Sequence, residues 1–458
     1  VSGSGKAEPN LFARAAALLS GNAPGDADDG EASSVLRELD YAASGLSAQG
    51  EEIGHVAANR VDLLNVASRF ARVFQLATPD APGLVCFGAE FDPAIADSLH
   101  RGSPTVGVSG IGLSPQEAFQ GCIGEGVEYL SQLQTGTDVL LAPGIDDRST
   151  GLGPLASGFV ADLSKRRTPP DAGLSSYRAT RLTDGSAVLL PADICLRRPP
   201  AQRELPPPFP LSIGSAAGSS WQAAVLHGLL ELIERDAASL WWRGGRRGRS
   251  IPPGDEADAM SKLLLRQLRH TDAPSRRTWL LDITTDVGVP SVAAVSCGAD
   301  GFGLAFGLAA RPKLAAAAHS AILEMCQIEL ALAVVAAKQR ERGDAGLNET
   351  DRVHLRRSTK INADRCALLQ PISEPTTYLD IATPDPGATS GLIVRRLEQL
   401  GIETFCLDLT RPHLAVPVAR LIAPGLQLEP SGIVTARLAD VIAQTGGGTT
   451  YTGGVALM

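Results

Sequence analysis

Carboxylate and, once, amide side chains recur three apart inside strongly apolar stretches of this chain. In SPQEAFQGCIGEGVEYLSQL they are Glu125 and Glu128. In WQAAVLHGLLELIERDAASLWW they are Glu231 and Glu234, with Arg235 following. In AAAAHSAILEMCQIELAL the pair is Glu324 and Gln327. A spacing of i, i+3 sets both groups on one face of a helix. The neighbours are Ile123 and Val127, then Leu229, Leu230, Leu232 and Ile233, then Ile322, Leu323 and Met325. These helices are therefore expected to be mostly buried. Buried carboxylates are costly unless paired or bound to metal, and two on one face raise each other's pKa. Two such pairs imply a nearby cation. Oxygen ligands without His or Cys suit a hard ion such as Mg2+, which normally serves substrate phosphates. The pattern implies a nucleotide site. The plainer reading is a solvated helix face, with Glu231, Glu234 and Arg235 as a salt-bridge network. GSGK at residues 3–6 is no P-loop, because no strand and no earlier Gly precede it at the needed spacing.

Helices are expected around the first motif, over about 220–242 and over about 313–340. TWLLDITTDVGVPSVAAVSC, residues 278–297, reads as strand, turn and strand. Residues 388–406 read as helix then strand, and VPVARLIAPGL as strand and turn. The Pro-rich 198–210 is a loop or a hinge, since Pro lacks the N–H a regular helix needs. Residues 1–95 form an N-terminal helical, variable section, with a linker at 21–33 and helical spacing over 34–76. Residues 96–458 form the main domain. It includes a polar loop at 145–175, a charged segment of irregular pattern at 341–375 and a flexible Gly-rich loop, TGGGTTYTGG, near the end. Alternating strands and helices imply a mixed α/β (α+β) fold.

The chain has 458 residues, 44% hydrophobic and 20% charged, a globular composition. Lys+Arg is 41 against Asp+Glu 50, giving net charge -9 and no electrostatic case for a nucleic-acid binder. The seven Cys, at 86, 122, 195, 297, 326, 366 and 406, form no C-x-x-C pair, so neither a zinc framework nor a disulfide scaffold follows. They read as core thiols. Their odd number and a start without an apolar leader lead us to expect a cytoplasmic protein. His319, Glu324, Gln327 and Glu329 inside the apolar 314–338 stretch argue against a membrane span. The run Arg243, Arg246, Arg247, Arg249 is either a contact for phosphate or an acidic peptide segment, or a solvated loop. His227 lies one turn before Glu231 and either touches the site or is a core His.

SAAGSSWQAAVLHGLLELIERDA, residues 215–237, resembles the central signature of the YcaO family, a small-residue turn and a helix ending in Glu-x-x-Glu-Arg-Asp. LSPQEAFQGCIGEGVE resembles its first carboxylate helix. LLDITTDVGVPSVAA and AAHSAILEMCQIELA resemble later core segments, and FCLDLTRPHLAVPVARLIAPGLQ the C-terminal part of azoline-forming members. The resemblance implies a YcaO-type ATP-binding fold with mixed sheets and long buried helices over about 105–430. It implies ATP and Mg2+ as cofactors. It implies O-phosphorylation of backbone amides in a ribosomally made precursor peptide, followed by ring closure of Cys, Ser or Thr to thiazoline or oxazoline. Glu125, Glu128, Glu231 and Glu234 match Mg2+-phosphate positions. Arg235 matches a basic nucleotide contact, Ser219 a position near the phosphates, and Glu324 and Gln327 the third helix.

The sequence departs from the family pattern at Ala223, where a Glu is common, at Gly110-Ile111-Gly112, where Gly-Lys-Gly is sometimes seen, at Tyr129, often Arg, and in TYTGGVALM, where many members have a Pro-rich tail. No catalytic base is visible. Two alternatives stand: thioamide formation with a TfuA-like partner, and a degenerate scaffold without catalysis. Expected partners are the precursor peptide, a leader-binding or E1-like protein, a flavin dehydrogenase in the same complex and a second copy of the chain as a homodimer. Neither nucleic acid nor membrane is expected.

Overall fold

The computed structural model describes residues 10–21, 29–41, 51–142, 151–166, 173–271 and 275–458. The chain opens with helices α1 (Leu11–Leu19), α2 (Gly30–Glu38) and α3 (Glu51–Ala67). Asn10 and Asp29 cap the first two by accepting backbone N–H groups. An antiparallel meander follows, β1 (Arg72–Leu76), β2 (Val85–Phe91) and β3 (Val106–Gly112), in the order β1-β2-β3. It feeds α4 (Pro115–Gln132), which carries the first acidic motif. Ser114 caps α4 through Glu117 N–H, and Pro115 sits in the first turn, where its missing N–H costs nothing.

The middle of the chain gives α5 (Pro154–Lys165), β4 (Ser176–Arg181), β5 (Ala187–Pro191), α6 (Ala192–Cys195), β6 (Ser215–Ala217) and α7 (Trp221–Trp242), the second motif helix. The pattern of the first third then recurs: helix α8 (Glu256–Arg269), meander β7 (Arg277–Asp282), β8 (Ser291–Cys297), β9 (Ala305–Ala310), and helix α9 (Leu314–Arg342), the third motif helix. The chain ends with α10 (Glu349–Lys360), α11 (Pro386–Gln399), β10 (Phe405–Asp408), β11 (Val418–Ile422), α12 (Ala436–Thr445) and α13 (Thr449–Thr452). A five-stranded antiparallel sheet, β5-β4-β10-β11-β6, joins the middle to the end.

Helix α7 lies between the two parts. It packs on β11, β6 and α11 and on β9 and β8. Seventeen of its residues are buried, which is why its sequence is apolar nearly all round. Two glycines let backbones approach. A Cβ on Gly110 would stand 2.0 Å from Cys122 N on α4, and one on Gly307 2.2 Å from Ala321 O on α9.

The α/β mixture, the three motif helices and the loop at 198–210 are as expected. Several expectations need correction. The stretch 145–175 is not simply loop, because α5 lies in it. Its Ala156 and Leu163 are buried while its polar residues face out. Residues 72–76 are strand rather than helix, and 341–375 includes α10, closed by an Asn348–Asp351 capping box. The linker at 21–33 gives way to α2 from Gly30. Residues 22–28 and the GSGK segment lie outside the described residues.

The Gly-rich C-terminal segment is docked. Trp242 Nε1 donates to Val455 O at 2.7 Å, Arg357 donates to Leu457 O, and Leu457 is fully buried. The division near residue 95 falls between β2 and β3, which pair from Val85–Gly112 to Phe91–Val106, so the N-terminal section and the domain after it share a sheet. By length and composition α9 could cross a bilayer. Here it packs on β8, β9 and α8. All seven cysteines are buried and free.

The arginines of the run after α7 are half-buried and already donate within the protein. Arg243 pairs with Glu429, Arg246 donates to Ile283 O and Thr284 O, Arg247 to Gln370 O and Arg249 to Thr284 O.

Candidate active site

Helices α4, α7 and α9 converge on a cavity of about 620 Å3. It is lined by Glu125, Glu128, Glu231, Glu234, Arg235 and Glu324 among others. All four expected metal positions are thus brought together, with Arg235 and Glu324. A second cavity of about 570 Å3 adjoins it. Ser219, Asn59, Gln116, Gln120 and Gly124 line this one, and the two share Glu125, Glu128 and His227. Gln327 lines neither; its Nε2 donates to Ser109 Oγ at 2.9 Å.

Four carboxylates are held the same way, each accepting one backbone N–H from a strand or the turn beside it. Ser109 N–H reaches Glu125 Oε2 at 3.1 Å, Ala217 N–H reaches Glu128 Oε1 at 2.7 Å, Gly214 N–H reaches Glu231 Oε2 at 3.0 Å and Leu308 N–H reaches Glu324 Oε2 at 2.8 Å. Among the described residues no other protein donor reaches Glu125, Glu128 or Glu324, so one oxygen of each is left for the cavity. Arg235 lies 3.5 Å from Glu231 Oε1 and 3.7 Å from Glu234 Oε1, and also touches Met458 Sδ.

Burial lifts all five carboxyl groups above the usual carboxylate range. Arg235 pulls Glu231, Glu234 and Glu324 back down in part, while neighbouring carboxylates push Glu128 further up. Glu125 is reached by solvent through the cavity, yet the protein packed round it still raises its carboxyl. Such a cluster is electrostatically incomplete without added positive charge. The all-oxygen donor set with free oxygens fits Mg2+. Among the described residues no three acidic, His or Cys groups already stand close enough to share an ion. Each ion would take one or two carboxylates, with phosphates and water completing its shell, as is usual for Mg2+.

His227 is not a core histidine. It is solvent-reached and lines both cavities. Its Nδ1 lies 3.2 Å from Ala217 O, which can only accept, so the proton sits on Nδ1 and Nε2 keeps its lone pair. Burial lowers its pKa, which keeps it neutral. Ala223, in the first turn of α7, is buried and lines neither cavity.

Sequence reasoning missed Arg311, Ser212, Ser215 and Ser320 on the first cavity and Asn59 on the second. It also missed fully buried Arg420. That residue donates to Ile194 O, Leu211 O, Ile213 O and Ser215 Oγ, and so fixes the turn that offers Gly214 N–H to Glu231. An Arg within the apolar VPVARLIAPGL was the available signal.

The family model for the YcaO cyclodehydratase, ATP- and Mg2+-binding, matches residues 109–427, and the chain belongs to that family. ATP and Mg2+ are its cofactors. A Rhizobium leguminosarum bv. trifolii protein, known as an uncharacterized protein in the tfuA 3' region, is 29% identical over 242 residues, 50% of this chain and 56% of its own length. A heterocyclase in complex with substrate and cofactor superposes with TM-score 0.63 at 22% identity, over 82% of this chain and 53% of that one. YcaO from Methanopyrus kandleri, bound with AMPPCP and Mg2+, gives TM-score 0.56 at 18% identity, over 81% and 91%. The structural likenesses establish the fold. The match spans about half the length of the Rhizobium relative and of the heterocyclase.

Proposed function

We propose that this protein uses ATP to phosphorylate backbone amide oxygens of a ribosomally made precursor peptide, and that Cys, Ser or Thr side chains then close to thiazoline or oxazoline rings. The carrying observation is a pair of cavities meeting at Glu125, Glu128 and His227, one rich in carboxylates and one lined by neutral polar groups. A transfer between two bound substrates needs such a junction. The heterocyclase fold supports the reading.

Glu125, Glu128, Glu231 and Glu234 would hold Mg2+, with Glu324 beside them. The bound ion neutralises charge on the phosphates and the transferring group. Arg235 is fixed by Glu231 and Glu234 and faces the nucleotide, and Ser219 lines the second cavity. The amide oxygen accepts the phosphoryl group. The side-chain nucleophile adds to the amide carbon, the C–O bond breaks and phosphate leaves. His227 Nε2 is placed at the junction to take the released proton. A leader-binding or E1-like partner delivers the peptide, and a homodimer working in the cytoplasm fits the same reading.

A second reading is thioamide formation with a TfuA-like partner, in which sulfide replaces the side-chain nucleophile. It is favoured by the tfuA-adjacent relative. Co-expression with a precursor peptide and mass spectrometry separates the two. Loss of one water per site means a ring, and exchange of oxygen for sulfur means a thioamide. An unmodified peptide in the presence of both partner types overturns both readings.

A further inference from the structure

Arg311 lies at the junction of β9 and α9 and lines the carboxylate cavity. Its side chain makes one hydrogen bond, from Nη1 to the carbonyl of Ala310 at 2.8 Å. Among the described residues it forms no ion pair, although Glu231, Glu234 and Glu324 share its cavity. Arg235, the other arginine on that cavity, is held by Glu231 and Glu234. The cavity thus has one committed guanidinium and one uncommitted one.

The fold does not ask for a cation there. The two helix–meander–helix units offer an internal control. Ser109 and Leu308 occupy the same place, each giving its N–H to a Glu sixteen residues on. Three residues after Ser109 comes Gly112, and three after Leu308 comes Arg311. The same strand-to-helix turn is therefore made once with no side chain and once with a long cationic one. Helix α9 also begins without a side-chain cap, so Arg311 is not needed to close it.

We infer that Arg311 binds the terminal phosphate of the nucleotide and stabilises its charge during transfer. The assignment rests on the ATP-dependent reading above and deepens it. The terminal phosphate is the group that must meet the acceptor at the junction of the cavities, and His227 marks that junction. Arg311 lines the same cavity as His227, Glu234 and Glu324. An Arg fork matches phosphate oxygens in geometry as well as charge, and charge aimed where a phosphoryl group moves acts mainly on turnover.

The test compares wild type, Arg311→Gln and Arg311→Lys by calorimetry with ATP, ADP and AMP in excess Mg2+, and by steady-state ATP turnover. The expected result is a loss in Arg311→Gln of about tenfold in ATP affinity, a charge-assisted contact, with AMP affinity unchanged. kcat should fall on the order of a hundred- to a thousandfold, and Arg311→Lys should recover part of both. Equal weakening of all three nucleotides, or unchanged ATP affinity in a folded Arg311→Gln, overturns the assignment. If Arg311→Gln does not fold, Arg311→Lys decides: unchanged ATP affinity and kcat in it overturn the assignment too. Absence of ATP binding by wild type overturns the nucleotide reading itself, a result distinct from the others.

Discussion

Glu125 and Glu324 are anchored alike at distant points of the chain. Each accepts the N–H of a strand residue sixteen positions earlier, Ser109 at 3.1 Å and Leu308 at 2.8 Å. Each strand is the third of an antiparallel meander that feeds the helix carrying the Glu. Gln327 holds in the second unit the place of Glu128 in the first, and its amide crosses to Ser109 Oγ. The two units are joined at the residue that fixes the first carboxylate.

This anchoring depends on close backbone approach, so a methyl group should undo it. Gly110→Ala would put Cβ 2.0 Å from Cys122 N, and Gly307→Ala 2.2 Å from Ala321 O, both rigid backbone. Overpacking of this kind costs about 1–3 kcal/mol or more, and it moves the strand N–H from its Glu. Gly107→Ala is the control, since nothing lies within 4 Å of its Cβ position. Urea unfolding should show a large loss at 110 and 307 and none at 107. Equal stability of all three would remove the close approach from the argument.

Glu128 should show opposed effects on stability and function. Its carboxyl is raised by burial and by Glu231 and Glu125, so its charge is a cost in the metal-free protein. Glu128→Gln keeps an oxygen to accept Ala217 N–H and removes the charge. The metal-free variant should be at least as stable as wild type and lose ATP turnover on the order of a hundredfold. Glu125→Ala and Glu231→Ala should also abolish turnover in a folded protein. Normal turnover in folded Glu128→Gln would take that residue out of the site.

The acidic motifs were legible because burying charge on an apolar helix leaves a pattern in one short window. The helices themselves were legible for the same reason, and α7 was placed almost to the residue. What binds those carboxylates was not. The donors at Ser109, Ala217, Gly214 and Leu308 are backbone groups and carry no residue signature. The likeness between the two meander units is not legible either, because it lies in geometry more than in residue identity. Arg311 follows a strand and precedes Pro312, and only the packed structure brings it to the cavity that Glu324 also lines. The basic run Arg243–Arg249 leaves two readings open in sequence, because arginines that tie a loop to carbonyls look like arginines awaiting a ligand. The C-terminal glycines suggested flexibility, yet Gly446, Gly447, Gly453 and Gly454 adopt positive φ to make tight turns.

Glu329 is a different kind of buried acid on the same helix. Arg269 grips it at 2.5 and 2.7 Å, Arg276 donates at 2.9 Å and Ser296 Oγ at 2.5 Å. Both its oxygens are engaged by these groups, so its role is to tie α8 and the β7–β8 meander to α9. Glu329→Ala leaves two arginines facing a gap and should cost about 3–5 kcal/mol. The exposed pair Lys262–Asp258 should be worth far less by Lys262→Ala, since solvent screens it. Chemical denaturation of both variants checks the contrast. A loss at Glu329 no larger than at Lys262 would contradict it.

Asp138 should govern acid stability. Arg411 holds it with two nitrogens, at 2.9 and 3.0 Å, and Thr135 N–H adds a bond at 2.7 Å. Arg411 also donates to Ser131 O and Leu133 O, so the cluster fastens the end of α4 to the loop before β11. Burial pushes the Asp138 carboxyl up, but Arg411 and Thr135 outweigh it and leave it below its ordinary value. A carboxyl lowered in the folded state stabilises at every pH above its unfolded value, about 3.9. That stabilisation is lost as pH falls from there through the lower folded value, because protonation then favours the unfolded chain. Asp138→Asn should therefore be less stable than wild type at pH 7, by about 3–5 kcal/mol for a broken buried pair. The gap should narrow only below about pH 4. Urea midpoints of the two proteins between pH 7 and pH 3 provide the measurement. A gap that closed already between pH 7 and pH 5 would mean that another group, with a higher pKa, carries the effect.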